Sequence, residues 1–307
     1  MEHAVGARTD IGREREGNED NHCTFRRSDG VYVLIVCDGM GGHEGGEIAS
    51  RVACETLKAE LEAAEGLNPP LHLRDALYKA NAAVLAAATP AGGRDMGTTA
   101  VVAWVDGLRL WYAWVGDSRL FHLRDGAKIG GTKDHTRVQV MVDLGMLTEE
   151  EAQGHPEGHI LMQALGGGPA AQQSFEPGIV EESIDLRQGD VLILCTDGLH
   201  DLVPEAGLIV ASSGRSPAEA TEALIQSALE AGGYDNVTVV LMVVDAPSSP
   251  VLSVELEQQL RAKLKRNPPI APPRPAGREP ILPPVLAGLF FGTLAGLALG
   301  WWIHNHL

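Results

Sequence analysis

Apolar positions along the chain fall into two alternating textures. Near-continuous runs rich in Val, Ile, Leu and Trp occupy residues 31–37, 99–105, 108–115, 119–123, 190–195 and 237–244, with Gly, Asp, Asn or Ser at or near each end. Short β-rich runs of this kind predict strands. Between them, Ala- and Leu-rich stretches with apolar residues three and four apart predict helices over 46–62, 73–88 and 216–231 and a more polar helical stretch over 136–152. A further strand is expected within 174–184. The strands at 99–105, 108–115 and 119–123 are joined only by DG and GDS turns, and joins that short imply antiparallel hairpins. The whole pattern predicts an α+β fold: two packed antiparallel β-sheets, a β-sandwich, flanked by helices on both sides, with a C-terminal transmembrane helix added.

Past residue 246 the texture changes. Eight of the 18 prolines lie between Pro247 and Pro280, beside the basic run RAKLKR, which makes residues 247–280 a linker, semi-rigid where proline is dense. Inside it Leu252, Leu256, Leu260 and Leu264 recur every four residues, a spacing that fits either an amphipathic helix at lipid headgroups or a solvated charged helix. Residues 281–303 carry no charge. At about 1.5 Å per residue they are long enough to cross a hydrocarbon core of about 30 Å as a transmembrane helix. Every Lys and Arg of the tail lies upstream of this stretch, so the positive-inside rule leaves residues 1–246 cytoplasmic on a single-pass protein of the cell membrane. Gly288, Gly292, Gly296 and Gly300 share one face of such a helix, a surface suited to homodimer pairing.

Lys and Arg number 24 against 41 Asp and Glu, a formal charge of −17. That balance argues against nucleic acid as a partner. It would also repel a phosphorylated substrate, unless some carboxylates hold cations that invert the local field. Metal is therefore the chemistry to look for. Cys23, Cys37, Cys54 and Cys195 form no CxxC pair and two of them end apolar runs, which fits buried free thiols in a reducing compartment. The first residues, MEHAVGARTDIG, lack the apolar core of a secretion signal.

Two of the strand-like runs end alike, VYVLIVCDGM at 31–40 and DVLILCTDGL at 190–199. In each a carboxylate emerges where the strand stops, and the glycine after it lets the backbone turn or approach a ligand closely. One DG is an ordinary turn; two built alike suggest that Asp38 and Asp197 share a site. Further acids sit in NED at 18–20, DH at 134–135 and YDN at 234–236. Carboxylates gathered at strand ends suit hard cations such as Mg2+ and Mn2+, and no His/Cys cluster has zinc spacing. His43, His135, His155 and His159 are expected to be loop histidines.

Taken in order, RxxxED at 15–20, DGMGGH at 38–43, GTTA at 97–100, GDSR at 116–119, KDHT at 133–136, CTDGLHD at 195–201 and DNVT at 235–238 resemble the bacterial PPM-type, or type 2C, metal-dependent protein phosphatases. The linker and the uncharged tail lie outside the resemblance. It implies two adjacent divalent ions, Mn2+ or Mg2+, with room for a third. Asp38 would bridge both ions, the Gly39 carbonyl would bind one, Asp197 and Asp235 would hold the other, and Glu19 and Asp20 would act largely through waters. Asp134 and Asp197 are assigned to the third ion, and Arg15 to gripping the phosphate, so that Arg15 and Asp38 form the catalytic set. The implied reaction is hydrolysis of phosphoserine and phosphothreonine in proteins by a water held between two ions, with a Ser/Thr kinase or its targets at the same membrane as substrates.

In one place the chain departs from the pattern: eukaryotic members carry a His directly after the first DG, where this chain has Met40, so the general acid is left unassigned. Residues 138–168 match the family's mobile flap, while GTTA and GDSR are expected to support the fold, with Asp117 and Ser118 in a tight turn. Two rival functions share these motifs, an inactive phosphoprotein-binding scaffold and a hydrolase of small phosphorylated metabolites.

Overall fold

The computed structural model describes residues 2–41, 44–88, 96–167 and 175–266. Strands β1 (Ala4–Asp10), β7 (Arg119–Arg124), β8 (Ala127–Gly131), β12 (Val191–Cys195) and β13 (Val237–Val243) form one antiparallel sheet in the order β1-β13-β12-β7-β8. The second sheet is built on β3 (Tyr32–Met40), which pairs with β2 (Asp20–Arg26) along one edge and β5 (Ala100–Asp106) along the other, with β6 (Arg109–Val115) beyond β5. Two-residue strands complete it: β4 (Gly97–Thr98) and β9 (Leu165–Gly166) by the end of β3, β10 (Gly178–Ile179) and β11 (Ile184–Asp185) along β6.

The unbroken apolar runs follow from this arrangement, because successive side chains of a strand point to opposite faces. Leu34 and Val36 on β3 and Leu192 and Leu194 on β12 meet in the layer between the sheets, together with Val101, Leu120, Val240 and Met242. The alternate residues Val33, Ile35 and Cys37 face α1 (Glu44–Glu62) and α2 (Pro69–Ala88) through Leu57, Leu61, Leu73 and Leu77. On the other side Val191, Ile193 and Cys195 pack with Leu208 of α6 (Glu205–Ser212) and Leu224 and Ile225 of α7 (Pro217–Glu230). Three apolar layers thus separate helices, sheet, sheet and helices, as the pattern predicts. Helix α7 starts where its sequence dictates: Ser216 and Glu219 form a reciprocal capping box and Pro217 takes the first turn. Cys37, Cys54 and Cys195 are buried and Cys23 half-buried, all four as free thiols.

Several expectations are corrected. The GDS join is not a hairpin, because β6 lies in one sheet and β7 in the other. Strands β1 and β2 were not foreseen: AVGARTD and DNHCTFR are half-exposed and mostly polar, so nothing in their apolar pattern marks them. The stretch 136–152 is two helices, α3 (Arg137–Asp143) and α4 (Glu149–Ala152), split at Gly145, whose φ of +70° no helix accommodates. Within 174–184 the described residues make the short pairings of β10 and the start of β11, not one strand.

Of the linker leucines, Leu256, Leu260 and Leu264 lie on α8 (Val254–Arg266) and Leu252 just before it, and all four face the domain. Leu252 and Leu256 lie over the β7–β8 turn at Gly126, Leu260 joins the layer under α6 and α7, and Leu264 lies against Gly207 of α6. Among the described residues no helix is long and apolar enough to cross a membrane. The expected span at 281–303, with Gly288, Gly292, Gly296 and Gly300, lies outside the described residues.

At the start of β12 a charged group is buried with its partners. Asp190 is 1% exposed and accepts from Arg124 Nε (2.8 Å) and Nη2 (2.6 Å), from the Arg187 amide (2.9 Å), and shares a 2.8 Å hydrogen bond with His122 Nε2. Burial by itself would raise its pKa, but the hydrogen bonds from Arg124, His122 and Arg187 outweigh that and hold it well below the ordinary carboxylate range. A depressed folded pKa stabilises above the unfolded value of about 4 and loses that contribution as pH falls through the folded one. Asp190→Ala is therefore expected to cost about 3–5 kcal/mol in urea denaturation at pH 7, because it strands Arg124 and His122, with the gap to wild type narrowing below about pH 4.

Candidate metal centre

Strand alternation carries the inter-sheet rows past the end of the apolar core. After Leu34 and Val36, the next residue of that row on β3 is Asp38, and on β2 Asp20 lies directly opposite it in register. From the other sheet β12 ends at Cys195 and runs through Thr196 into Asp197, the first residue of α5 (Asp197–His200); Asp235 and Asn236 precede β13, the antiparallel neighbour of β12. The two DG motifs, from different sheets, meet at one end of the sandwich.

Backbone contacts fix each carboxylate. The Asp38 carbonyl accepts from the Thr99 amide and the Thr98 hydroxyl, both at 2.8 Å, and the Asp38 amide donates to Thr99 Oγ1 at 3.0 Å. GTTA therefore supports the fold as expected, by clamping Asp38. The Gly39 amide donates to the Glu19 carbonyl at 3.1 Å, and a Cβ on Gly39 would fall on the carbonyl oxygens of Glu19 and Gly46. A Cβ on Gly46 would fall on the Glu19 carboxylate, so only glycine allows this three-way approach. Asn236 ties down the 11–19 loop, accepting from the Glu19 amide at 2.8 Å and donating to the carbonyls of Ile11 (2.8 Å) and Gly17 (2.9 Å). Thr196 Oγ1 donates to Asp20 at 2.9 Å.

The carboxylates raise one another's pKa. Asp38 and Asp197 both lie well above the ordinary carboxylate range. Burial is the larger cause, followed for Asp38 by the charge of Asp197 and for Asp197 by that of Asp117. Burial pushes Asp20 up to about 7 despite the hydroxyls of Thr238 and Thr196, and burial with the neighbouring Asp134 pushes Asp117 up to about 6. At the mouth Arg15, half-exposed, donates to Asp235 Oδ2 at 2.5 Å and also feels the charges of Glu19 and Asp197.

The structure thus brings Arg15, Glu19, Asp20, Asp38, Gly39, Asp197 and Asp235 to one place. Asp134 stands a step further out, bound by Arg119 Nε (2.8 Å) and Nη2 (2.6 Å). Asp117 and Asp201 were not singled out as site residues, yet both charges act on Asp197. Treating GDSR as a hairpin turn hid Asp117; as a crossing between sheets it had to reach this end. His43 lies outside the described residues.

Among the described residues no three His, Cys, Asp or Glu side chains converge at ligand distance on one point. The acids line a basin in ones and twos, an arrangement that leaves coordination positions to water. Hard oxygen donors and an excess of negative charge fit divalent ions of the Mg2+ and Mn2+ class.

A sequence model described as Protein phosphatase 2C matches residues 12–232. The chain belongs to the protein phosphatase 2C family. The seven motifs imply this family and its fold, and both are borne out. The chain is similar to the serine/threonine protein phosphatase PstP of Mycobacterium tuberculosis, 38% identical over 237 residues, which is 76% of this chain but 44% of that protein, so the matched part spans less than half of that relative. It is 34% identical over 242 residues to the serine/threonine phosphatase stp of Listeria innocua, covering 76% of this chain and 93% of the relative. The crystal structure of the M. tuberculosis phosphatase matches with a TM-score of 0.70 at 36% identity, covering 80% of this chain and 99% of that one. The catalytic domain of PstP in complex with 2 manganese ions matches at 0.67 and 35% identity, covering 78% and 97%.

For this chain the carboxylates set a pH dependence. The metal-free folded chain keeps the Asp20 proton to about pH 7, whereas an unfolded chain releases it near 4, so crowding costs stability as pH rises across that window. Divalent ions compete with those protons. Mn2+ is expected to raise Tm more at pH 7.5 than at pH 5, measured by calorimetry; equal shifts at both would count against the basin as the binding site.

Proposed function

We propose that the chain hydrolyses phosphoserine and phosphothreonine in proteins using two divalent ions, Mn2+ or Mg2+. The observation that carries this is the convergence of acids from both sheets at one end of the sandwich: Asp20 opposite Asp38 in register, and Asp197 and Asp235 at the neighbouring ends of β12 and β13. Asp38 would lie between the two ions, with the Gly39 carbonyl on one side, Asp197 and Asp235 on the other, and Glu19 and Asp20 acting through waters. When bound, such ions would supply a water of lowered pKa as the nucleophile and would screen the phosphoryl charge. Arg15 sits half-exposed at the mouth, and its guanidinium can exchange Asp235 for two phosphoryl oxygens. A third ion held by Asp134 and Asp197 would need Asp134 to leave Arg119.

The uncharged stretch 281–303 supports a single-pass anchor in the cell membrane, with the phosphatase domain cytoplasmic and residues 247–280 joining the two. A Ser/Thr kinase or its targets at the same membrane would then be the substrates, and the face of Gly288, Gly292, Gly296 and Gly300 would pair two copies.

Mn2+-dependent hydrolysis of p-nitrophenyl phosphate is expected, and Asp38→Asn should abolish it while leaving the metal-free Tm equal or higher, since a crowding charge is removed. Turnover of a phosphothreonine peptide well above that of sugar phosphates is expected; the reverse would favour a metabolite hydrolase, and no turnover with any metal would favour a scaffold. In cell fractionation the full chain should sediment with membranes and a chain ending at residue 266 should not.

A further inference from the structure

The turn Gly116–Ser118 carries the chain from β6 in one sheet to β7 in the other, at the end where the carboxylates gather. It is clamped from several sides. Gly116 has φ +95°, and a Cβ there would strike the Thr99 side chain. Ser118 Oγ lies 2.6 Å from Thr99 Oγ1, the same hydroxyl that holds the Asp38 amide. The His135 amide donates to the Gly116 carbonyl at 2.9 Å. On the Asp38 side, then, the turn is tied through Thr99.

On the Asp197 side the tie is His200. Its Nε2 lies 3.0 Å from the Asp117 carbonyl oxygen. A carbonyl can only accept, so Nε2 carries the proton and donates. The side chain is 3% exposed, and Nδ1 lies 3.1 Å from Asp201 Oδ1, within ion-pair range, without making a hydrogen bond. Of the two ring nitrogens, the one that reaches Asp117 makes the structural bond. His200 closes α5, the single turn of helix that Asp197 opens, and the Asp201 amide donates back to the Asp197 carbonyl at 2.9 Å. A shift of His200 relative to the turn therefore moves Asp197.

We propose that His200 is a positioning residue: its Nε2 bond to the Asp117 backbone fixes α5 against the sheet-crossing turn and so sets the separation of Asp38 from Asp197 for metal binding. The proposal rests on the two-metal reading above and adds a residue that contacts neither ion nor substrate. Loss of a buried supporting hydrogen bond of this kind reduces metal affinity about 10-fold or more.

The choice of substitution separates this role from packing. A glutamine amide nitrogen reaches the depth of Nε2, whereas an asparagine amide nitrogen reaches only that of Nδ1. In Mn2+ titration calorimetry, His200→Gln should stay close to wild type, and His200→Asn and His200→Ala should bind about 10-fold more weakly. In parallel, amide hydrogen exchange of residues 116–119 in the metal-free proteins should be faster in His200→Asn and His200→Ala than in wild type and His200→Gln. Should His200→Ala not fold, the Gln and Asn pair still decides. Asn matching wild type while Gln fails, or all variants alike, would overturn the proposal. Wild type that binds no Mn2+ would overturn the function above; unchanged exchange across the variants would then overturn the strut as well.

Discussion

At the open end of the sandwich, carboxylates stand closer together than their charges allow. Two like charges about 4 Å apart near a protein surface repel by roughly 4 kcal/mol, and a domain has only about 5–15 kcal/mol of stability to spend against such terms. Burial together with this crowding raises the pKa of Asp38, Asp197, Asp20 and Asp117 above that of an ordinary carboxylate. A divalent cation removes the same repulsion without the protons. The rest of the fold has to hold these acids together against that repulsion.

What holds it is a division of labour along the strands. The apolar layers on both faces of β3 and β12 keep the sheets rigid up to the residue before each carboxylate. From there backbone hydrogen bonds take over: Thr98 and Thr99 grip Asp38, Asn236 grips Glu19, and His200 grips the turn at Asp117. Side chains in contact with the cleft are left for chemistry, while neighbours one residue away do the positioning. Glycine at 39 and 46 lets two backbones and the Glu19 carboxylate approach within distances no Cβ would permit.

The opposite end of the strands is built by the contrary rule. There Asp190 is neutralised by Arg124 and His122, and α8 lays its leucines over the β7–β8 turn. Charge is compensated and apolar surface covered, so that end offers structure and no unmet chemistry. The linker that leaves α8 does so from a helix docked on the domain, not from a freely hinged strand.

Much of this was legible from residue order. Strands buried on both faces announce themselves as unbroken apolar runs, and the like endings of 31–40 and 190–199 pointed to Asp38 and Asp197 as partners. The polar strands β1 and β2 were not legible, because their pairing depends on neighbours far along the chain and leaves no period in their own residues. The GDS join reads as a hairpin for a related reason: a tight turn looks the same in sequence whether it closes a hairpin or crosses between sheets. Local chemistry, then, determined which residues are strands, helices and candidate ligands, since propensity and alternation act over a few residues. Only the tertiary structure decided which acids share one basin, what His200 supports and where the leucines of α8 are spent, because those are long-range contacts that no short window of sequence contains.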